Sequence, residues 1–160
     1  MTPRTSLLSL ILIVVTIFSV PSFTFAQNTR HTNTDLPAEV LKLINEHRAG
    51  MGLGPLKMNT TISQAAEKHS RNMATKKIPF GHDGFDGRMK GLRDQLKNVT
   101  GWAENVAYGP QTAPEVVDMW LHSPGHKKNI EGDYNITGIG IVKGADGEPY
   151  YTQIFLKKEK

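Results

Sequence analysis

The amino-acid sequence predicts an α+β domain whose helices pack against a mainly antiparallel sheet. Apolar residues recur at helical spacing in several segments of the chain up to Trp120. Beyond Asn129 the pattern changes to glycine alternating with β-branched residues, and Asp146-Gly147 marks a hairpin turn between two strand-like runs. Because the helical patterns come first and the strand patterns follow, the order favours the α+β class.

Each predicted helix has a start signal, an apolar face or both. The first opens with an acidic cap, Asp35, and carries a proline, Pro37, in its first turn. A later helix starts in the same way with Pro114 and turns Trp120 inward. The predicted extents are Asp35 to the glycines of residues 50–54, Asn59 or Thr60 to about Lys77, Phe85 to Leu92, and Pro114 to Trp120.

Two strands are predicted near the C-terminus. Thr137 to Lys143 alternates glycine with isoleucine and then valine, and Tyr150 to Leu156 is rich in aromatic and β-branched residues. With the turn at Asp146-Gly147 between them, the two runs are expected to pair as a hairpin.

The N-terminal residues are typical of a targeting signal. Residues 1–26 combine one positive charge, the apolar run Leu7–Val20 and a small residue, Ala26, at the expected cleavage point. The run is shorter than the roughly 20 residues that a membrane span needs, although an uncleaved anchor is the alternative. We therefore expect residues 27–34 to be a linker and residues 35–160 to form one domain. The mature protein would be secreted or associated with the cell envelope, without a stable membrane span.

The composition excludes several classes of function. The chain has no cysteine, which rules out thiol catalysis, thiolate metal sites and disulfide bonds. Its net charge of +4 is spread out, and no basic stripe alternates with aromatic residues. Nucleic acid is therefore not expected as a partner, and the chain is expected to be a monomer.

Two histidines in glycine-containing turns, with a carboxylate between them in sequence, are the candidates for chemistry. They are His82 and His126, with Glu104 inside the stretch Trp102–Ala107. Imidazole is the commonest metal ligand among side chains and titrates near neutral pH. A nearby carboxylate can orient an imidazole, accept its proton or activate a water molecule.

An ordered set of short motifs covers most of the chain beyond residue 40. The motifs are Leu43-Ile44-Asn45-Glu46-His47-Arg48, Ala65-Ala66-Glu67-Lys68-His69-Ser70, Gly81-His82, Ala103-Glu104-Asn105-Val106-Ala107, Met119-Trp120, Ser123-Pro124-Gly125-His126, Gly138-Ile139-Gly140 and Tyr151-Thr152-Gln153-Ile154-Phe155. Together they resemble the CAP superfamily, the SCP/PR-1-like or cysteine-rich secretory protein family, in its compact prokaryotic form. The resemblance implies a three-layer α-β-α sandwich with a cleft, and an extracellular location.

The resemblance also implies which residues form the cleft. The family typically places two histidines and two acidic residues there, and many members bind zinc or another divalent ion weakly. His82 and His126 match the histidines, and Glu104 matches the first acid. The longer members carry the second acid a few residues after the helix tryptophan, but no carboxylate closely follows Trp120. Glu115, earlier on the same helix, remains a candidate.

The other histidines have structural interpretations. His122, four residues before His126, is either a third metal ligand or an exposed residue at a helix end. His69 is predicted to be a packed, hydrogen-bonded core residue, and His47 to interact with the C-terminal carbonyls of the first helix.

Three functions stay open at this point. The first is an extracellular binding module for a lipid, sterol or cell-wall component, with His82, Glu104 and His126 in its cleft and a weakly held Zn²⁺. The second is a metal-dependent hydrolase in which the two histidines hold the metal and Glu104 is the general base. The third is a structural or interaction protein whose histidine cluster stabilises loops without a ligand.

Overall fold

The computed structural model describes residues 35–160. The predicted signal peptide and linker lie outside the described residues. Five helices and four strands follow one another along the chain. They are α1 (Leu36–Gly50), β1 (Lys57–Met58), α2 (Thr60–Ala74), α3 (Phe85–Leu96), β2 (Val99–Tyr108), α4 (Ala113–His122), α5 (Pro124–Ile130), β3 (Ile136–Lys143) and β4 (Pro149–Lys158).

The four strands form one sheet in the order β1-β3-β4-β2. β4 is antiparallel to both of its neighbours, and the short β1 is parallel to β3. Gln153 marks the centre of the register, because it lies opposite Ile139 on one side and Asn105 on the other. The predicted hairpin is therefore confirmed as β3 and β4, and the sheet is mainly antiparallel.

Helices cover both faces of this sheet. Along β4, Tyr151 and Phe155 point into a core that α1, α4 and α5 complete, whereas Ile154 and Leu156 point into a second core shared with α2 and α3. This alternation is the period-2 geometry of a strand that is buried on both sides. The three-layer α-β-α sandwich is therefore confirmed.

Two glycines of β3 allow α2 to lie directly on the sheet. A Cβ atom at Gly138 would collide with the backbone between Ile62 and Ser63, and one at Gly140 with the backbone of Glu67. Only glycine fits such a close approach of two backbones. The alternation of glycine and isoleucine that predicted a strand thus also fixes where α2 packs.

β2 is the edge strand at the opposite end of the sheet from β1. Two of its carbonyls accept hydrogen bonds from side chains instead of from another strand. The Trp120 Nε1–H donates to the Val106 oxygen at 3.2 Å, and Asn129 Nδ2 donates to the Glu104 oxygen at 3.3 Å. These bonds attach α4 and α5 to the edge strand.

Several predicted boundaries are corrected by the structure. α2 ends at Ala74 rather than near Lys77, because Lys76 has a left-handed φ of 56°. α3 continues past Leu92 to Leu96, and Lys97 ends it with a φ of 52°. Neither change moves a core residue out of its helix.

Three elements were not predicted: the two-residue strand β1, the strand β2 and the helix α5. Glu104 lies in strand β2 rather than in a loop, and His126 lies on helix α5 rather than in a turn. β2 lacks a strong strand pattern, because a glycine, a glutamate and an asparagine interrupt its apolar residues. α5 has only seven residues, too few for a helical period to be recognised.

No helix within residues 35–160 is both long enough and apolar enough to cross a membrane.

Candidate functional site

The Glu104 carboxylate forms the centre of the site. Its strand position turns it toward α2 and α3, and its side chain is only 1% exposed. Arg88 of α3 binds it with two nitrogens, Nε to Oε2 at 2.8 Å and Nη2 to Oε1 at 2.7 Å. This two-point geometry is the strong form of an arginine–carboxylate pair, and it compensates for the burial of the charge.

His82 forms a further hydrogen bond with the same carboxylate. Its Nδ1 lies 2.9 Å from Glu104 Oε1, while the ring is half exposed. Since an ionised carboxylate can only accept, Nδ1–H donates, and Nε2 has no hydrogen bond to any of residues 35–160. The carboxylate thus fixes both the orientation of the ring and the position of its proton, as the outer partners of metal-binding histidines do.

His126 lies on α5, on the other side of the edge strand β2. Burial lowers the pKa of His126, and the nearby His82 lowers it further. The ring is therefore neutral at pH 7. Its Nδ1 is buried and has no hydrogen-bond partner among the described residues. A neutral imidazole with an unsatisfied nitrogen is a suitable ligand for a metal ion or a hydrogen-bonding molecule.

Both imidazoles line one cavity of about 420 Å³. Its other walls are mainly apolar, and three of its large side chains are exposed at the surface: Phe80, Tyr108 and Met119. The rings of Phe80 and Tyr108 lie 6.2 Å apart at a tilt of 59°. The site therefore combines two histidines with an apolar, partly aromatic rim.

A network of amide side chains holds α5 against β2. Asn105 is fully buried, and its Nδ2 donates to the His126 carbonyl at 3.1 Å. Asn129 Nδ2 in turn donates to Asn105 Oδ1 at 2.8 Å. Because these bonds run to the backbone of His126 and to β2, they set the separation between His126 and the Glu104 strand.

His69 lies beneath the loop that carries His82. It is 2% exposed, its Nε2 donates to the Gly81 carbonyl at 2.8 Å, and the same nitrogen lies 3.9 Å from Glu104. Burial lowers the pKa of His69 more than the hydrogen bond to Gly81 raises it. The prediction of a packed, hydrogen-bonded core histidine is confirmed. Through its bond to Gly81, His69 also supports the loop that carries His82.

Glu115 and His122 do not line the cavity between the two histidines. The Glu115 carboxylate accepts the backbone N–H groups of Gln111 and Thr112 and closes a capping box at the start of α4, which lowers the pKa of Glu115. His122 is exposed at the end of α4 beside Asp118. The structure gives both residues roles in their own helix.

Arg88 and the aromatic rim were not identified from the sequence. The signal for Arg88 was indirect: a glutamate in a stretch that is otherwise apolar needs a cationic partner if it is buried. Arg88 lies within the predicted short helix over residues 85–92, but nothing in its spacing connects it with Glu104. The rim residues Phe80 and Tyr108 come from separate loops and strand ends, which no local pattern joins.

The two imidazoles are the side chains of this cavity that could hold a divalent ion. Among residues 35–160, no group of three or more histidine, cysteine or acidic side chains is arranged to hold a metal. Glu104 has both oxygens engaged, so the available ligands are the two imidazoles. His82 Nε2 forms no hydrogen bond with a described residue, and His126 Nδ1 is buried without a partner; an ion held by the two rings would take its other ligands from water or from a bound molecule.

The fold and the site together define an α-β-α sandwich with paired histidines above a buried glutamate. The sequence profile of the cysteine-rich secretory protein family, CAP, matches residues 41–155. The chain belongs to this family.

Two relatives come from Bacillus subtilis. YkwD is 36% identical over 126 residues, which cover 75% of this chain and 46% of YkwD. YlbC, described as a membrane protein, is 30% identical over 125 residues, which cover 75% of this chain and 34% of YlbC. This chain therefore spans less than half the length of either relative.

Solved structures show the same fold. An extracellular protein of Bacillus anthracis that contains an SCP domain has a TM-score of 0.65 and 24% identity, covering 76% of this chain and 40% of that chain. A cysteine-rich secretory protein of Staphylococcus aureus has a TM-score of 0.65 and 25% identity, covering 81% and 40%. Both matches are extracellular or secretory proteins by description.

Proposed function

We propose that this protein is an extracellular binding module whose cleft holds a divalent ion weakly between His82 and His126. The apolar rim of the same cleft takes a ligand with hydrocarbon surface, of the lipid, sterol or cell-wall class. The observation that carries the proposal is the bond from His82 Nδ1 to the buried Glu104, because it leaves Nε2 free beside a neutral His126.

The apolar rim supports ligand binding rather than metal binding alone. Phe80, Tyr108 and Met119 expose large apolar side chains around the two histidines. Exposed apolar groups that surround a few polar ones are typical of small-molecule sites. A metal held by two histidines would retain open positions that a polar group of the ligand fills.

The geometry favours binding over hydrolysis. A general base needs a free lone pair near the attacking water, but Arg88 occupies both oxygens of Glu104 and His82 shares one of them. A hydrolase would therefore have to use an imidazole as its base: His82, which Glu104 orients, or His126, which has no carboxylate among its hydrogen-bond partners in the described residues.

Calorimetric zinc titration of the metal-free protein tests the metal part of the proposal. Saturable binding is expected for the wild type and is expected to be lost in the His82→Ala/His126→Ala variant. His122→Ala is the matched control and should bind like the wild type, because that side chain is exposed and outside the cavity. Absence of binding by the wild type would exclude a metal in the cleft.

A sedimentation assay tests the ligand class. Phosphatidylcholine vesicles with and without cholesterol, and insoluble peptidoglycan, are each spun down with the protein. Retention on one of them, reduced at least tenfold by Phe80→Ser/Met119→Ser, is expected. If none retains the wild type, or if the variant is retained equally, the apolar rim is not the binding surface.

The cellular part of the proposal has a separate test. The protein recovered from outside the producing cell should begin at Gln27, by N-terminal sequencing. A product that still carries residues 1–26 and sediments with membranes would instead support the uncleaved anchor.

A further inference from the structure

We propose that the groove between α2 and α3 is a second binding site, which takes an extended, uncharged peptide segment. The groove encloses about 750 Å³ and is lined by one row of residues on each helix. It is separate from the His82–His126 cavity, with which it shares no lining residue.

The length of the groove suits a short peptide. The α2 row runs from Thr61 to Asn72, and the α3 side runs from Gly84 to Gln95. At 1.5 Å per helical residue, each row is about 16 Å long. An extended chain rises about 3.3 Å per residue, so the groove holds about five residues.

Glycines of α3 keep the groove open. Gly87 and Gly91 both line it, and a Cβ atom at either position would meet nothing within 4 Å. They differ from Gly138 and Gly140, which the packing of α2 on β3 requires. Glycine weakens a helix interior, and no packing contact explains these two. Side chains at these positions would project into the space that a ligand needs.

The walls carry neutral groups that match a peptide backbone. Gln64, Asn72 and Gln95 each present an amide, which donates and accepts as a peptide unit does. The side chains of Gln64 and Asn72 form no hydrogen bond with any described residue, so they are available to a ligand. No phenylalanine, tyrosine or tryptophan of the described residues lines the groove, so a sugar would lack the stacking surface that these rings provide.

The charges along the groove balance. Lys68 and Asp83 contribute one charge of each sign, and the Arg88 guanidinium is already paired with Glu104. Neither a strongly acidic nor a strongly basic ligand would find a complementary surface. An uncharged segment is the best match.

An imidazole on the wall of the groove offers a further acceptor. His69 is 2% exposed and lines the groove. Its Nε2–H donates to the Gly81 carbonyl, which leaves Nδ1 as an acceptor without a partner among the described residues. A ligand N–H group in the groove can donate to this nitrogen.

Affinity capture from a peptide pool tests the proposal. The full chain is immobilised and exposed to random pentapeptides with acetylated and amidated ends, and the retained peptides are identified by mass spectrometry. The wild type should enrich a subset of sequences at least tenfold over Gly91→Leu, whose side chain would fill the groove. Amide NMR shifts on adding that subset should map to α2 and α3.

Gly50→Leu is the matched control, because its Cβ also meets nothing within 4 Å and it lies on α1. This variant should capture the same peptides as the wild type, and Gly91→Leu should retain wild-type zinc binding. No enrichment by the wild type, or equal enrichment by Gly91→Leu, would overturn the proposal. Shifts of α2 and α3 with N-acetylglucosamine tetramer, but not with peptides, would overturn it too, since the ligand would then be a glycan.

Discussion

At the scale of single residues, the pair formed by Arg88 and Glu104 determines the site. The glutamate side chain is 1% exposed and the arginine 14%, so neither charge is well solvated. Breaking such a pair is costly, because the remaining charge stays buried without a partner.

Arg88→Met should therefore lower the free energy of unfolding by about 3–5 kcal/mol, measured by urea denaturation. Adding Glu104→Gln should recover part of the loss, because the orphaned carboxylate is then neutral. Arg71→Met is the control: Arg71 pairs with Glu67 on the exposed face of α2, where an ion pair contributes about 0.5 kcal/mol. Equal losses for the two arginine variants would contradict the assignment.

His69 gives the stability of the protein a pH dependence. Burial holds the pKa of His69 below its usual value of 6.5, so below that pH the unfolded chain binds more protons than the folded one. Stability should be complete above about pH 6.5 and should fall as the pH drops toward the folded-state pKa. Burial lowers the pKa of His126 in the same direction.

Urea unfolding at pH 7.5 and pH 5.5 measures this dependence. The wild type should lose stability at the lower pH, and His69→Gln should lose less, because glutamine can still donate to Gly81 but does not titrate. An unchanged difference between the two pH values in the variant would show that His69 does not contribute.

At the scale of elements, replacing glycines in α3 and in β3 should have opposite effects on stability. Gly87→Ala and Gly91→Ala should each raise stability by about 0.5–1 kcal/mol, since helix propensity improves and the added Cβ meets no atom. Gly140→Ala should lower stability by about 1–3 kcal/mol, because its Cβ would collide with the backbone of Glu67. Thermal unfolding of the three variants checks the contrast, and destabilisation by the α3 changes would contradict it.

The elements that could be predicted from sequence are those with a strong local pattern. Caps and apolar faces located α1, α2 and α4, and the Asp146-Gly147 turn located the hairpin. β2 was missed because Glu104 and Asn105 are buried there through partners distant in sequence: Arg88 for the glutamate, and α5 for the asparagine. Burial of a polar side chain depends on tertiary contacts, which a local pattern does not contain.

The same dependence on tertiary contacts explains which residues of the site could be predicted and which could not. His82, Glu104 and His126 could be named from motifs, and the structure connects His82 directly with Glu104. The supporting residues could not be predicted, because only the tertiary fold brings Arg88 and the rim residues next to the site. The identity of the residues was thus more predictable than the arrangement that makes them a site.

At the scale of the whole molecule, one strand couples the two cores. β4 is buried along its first eight residues and contributes side chains to both faces. Within one face, Arg48 joins α1 to the end of α5 and the segment after it through the carbonyls of Ile130, Gly132 and Tyr134. In a chain without disulfides, this shared strand makes the two faces depend on each other.

Unfolding should accordingly be a single cooperative transition. In a Trp102→Phe background the fully buried Trp120 reports on one face by fluorescence, while circular dichroism at 222 nm reports on all helices. The two urea midpoints should coincide. Separate midpoints would show that the α2–α3 layer unfolds independently of the other face.

The edge strand β2 has a consequence for the protein at high concentration. Its outward carbonyls at Glu104 and Val106 are occupied by Asn129 and Trp120, so a second copy finds few free acceptors along that margin. Unprotected sheet margins are the usual starting points of intermolecular pairing and fibre growth. Concentrated solutions should therefore stay free of amyloid-type aggregates, and the indole of one core residue would serve solubility as well as packing.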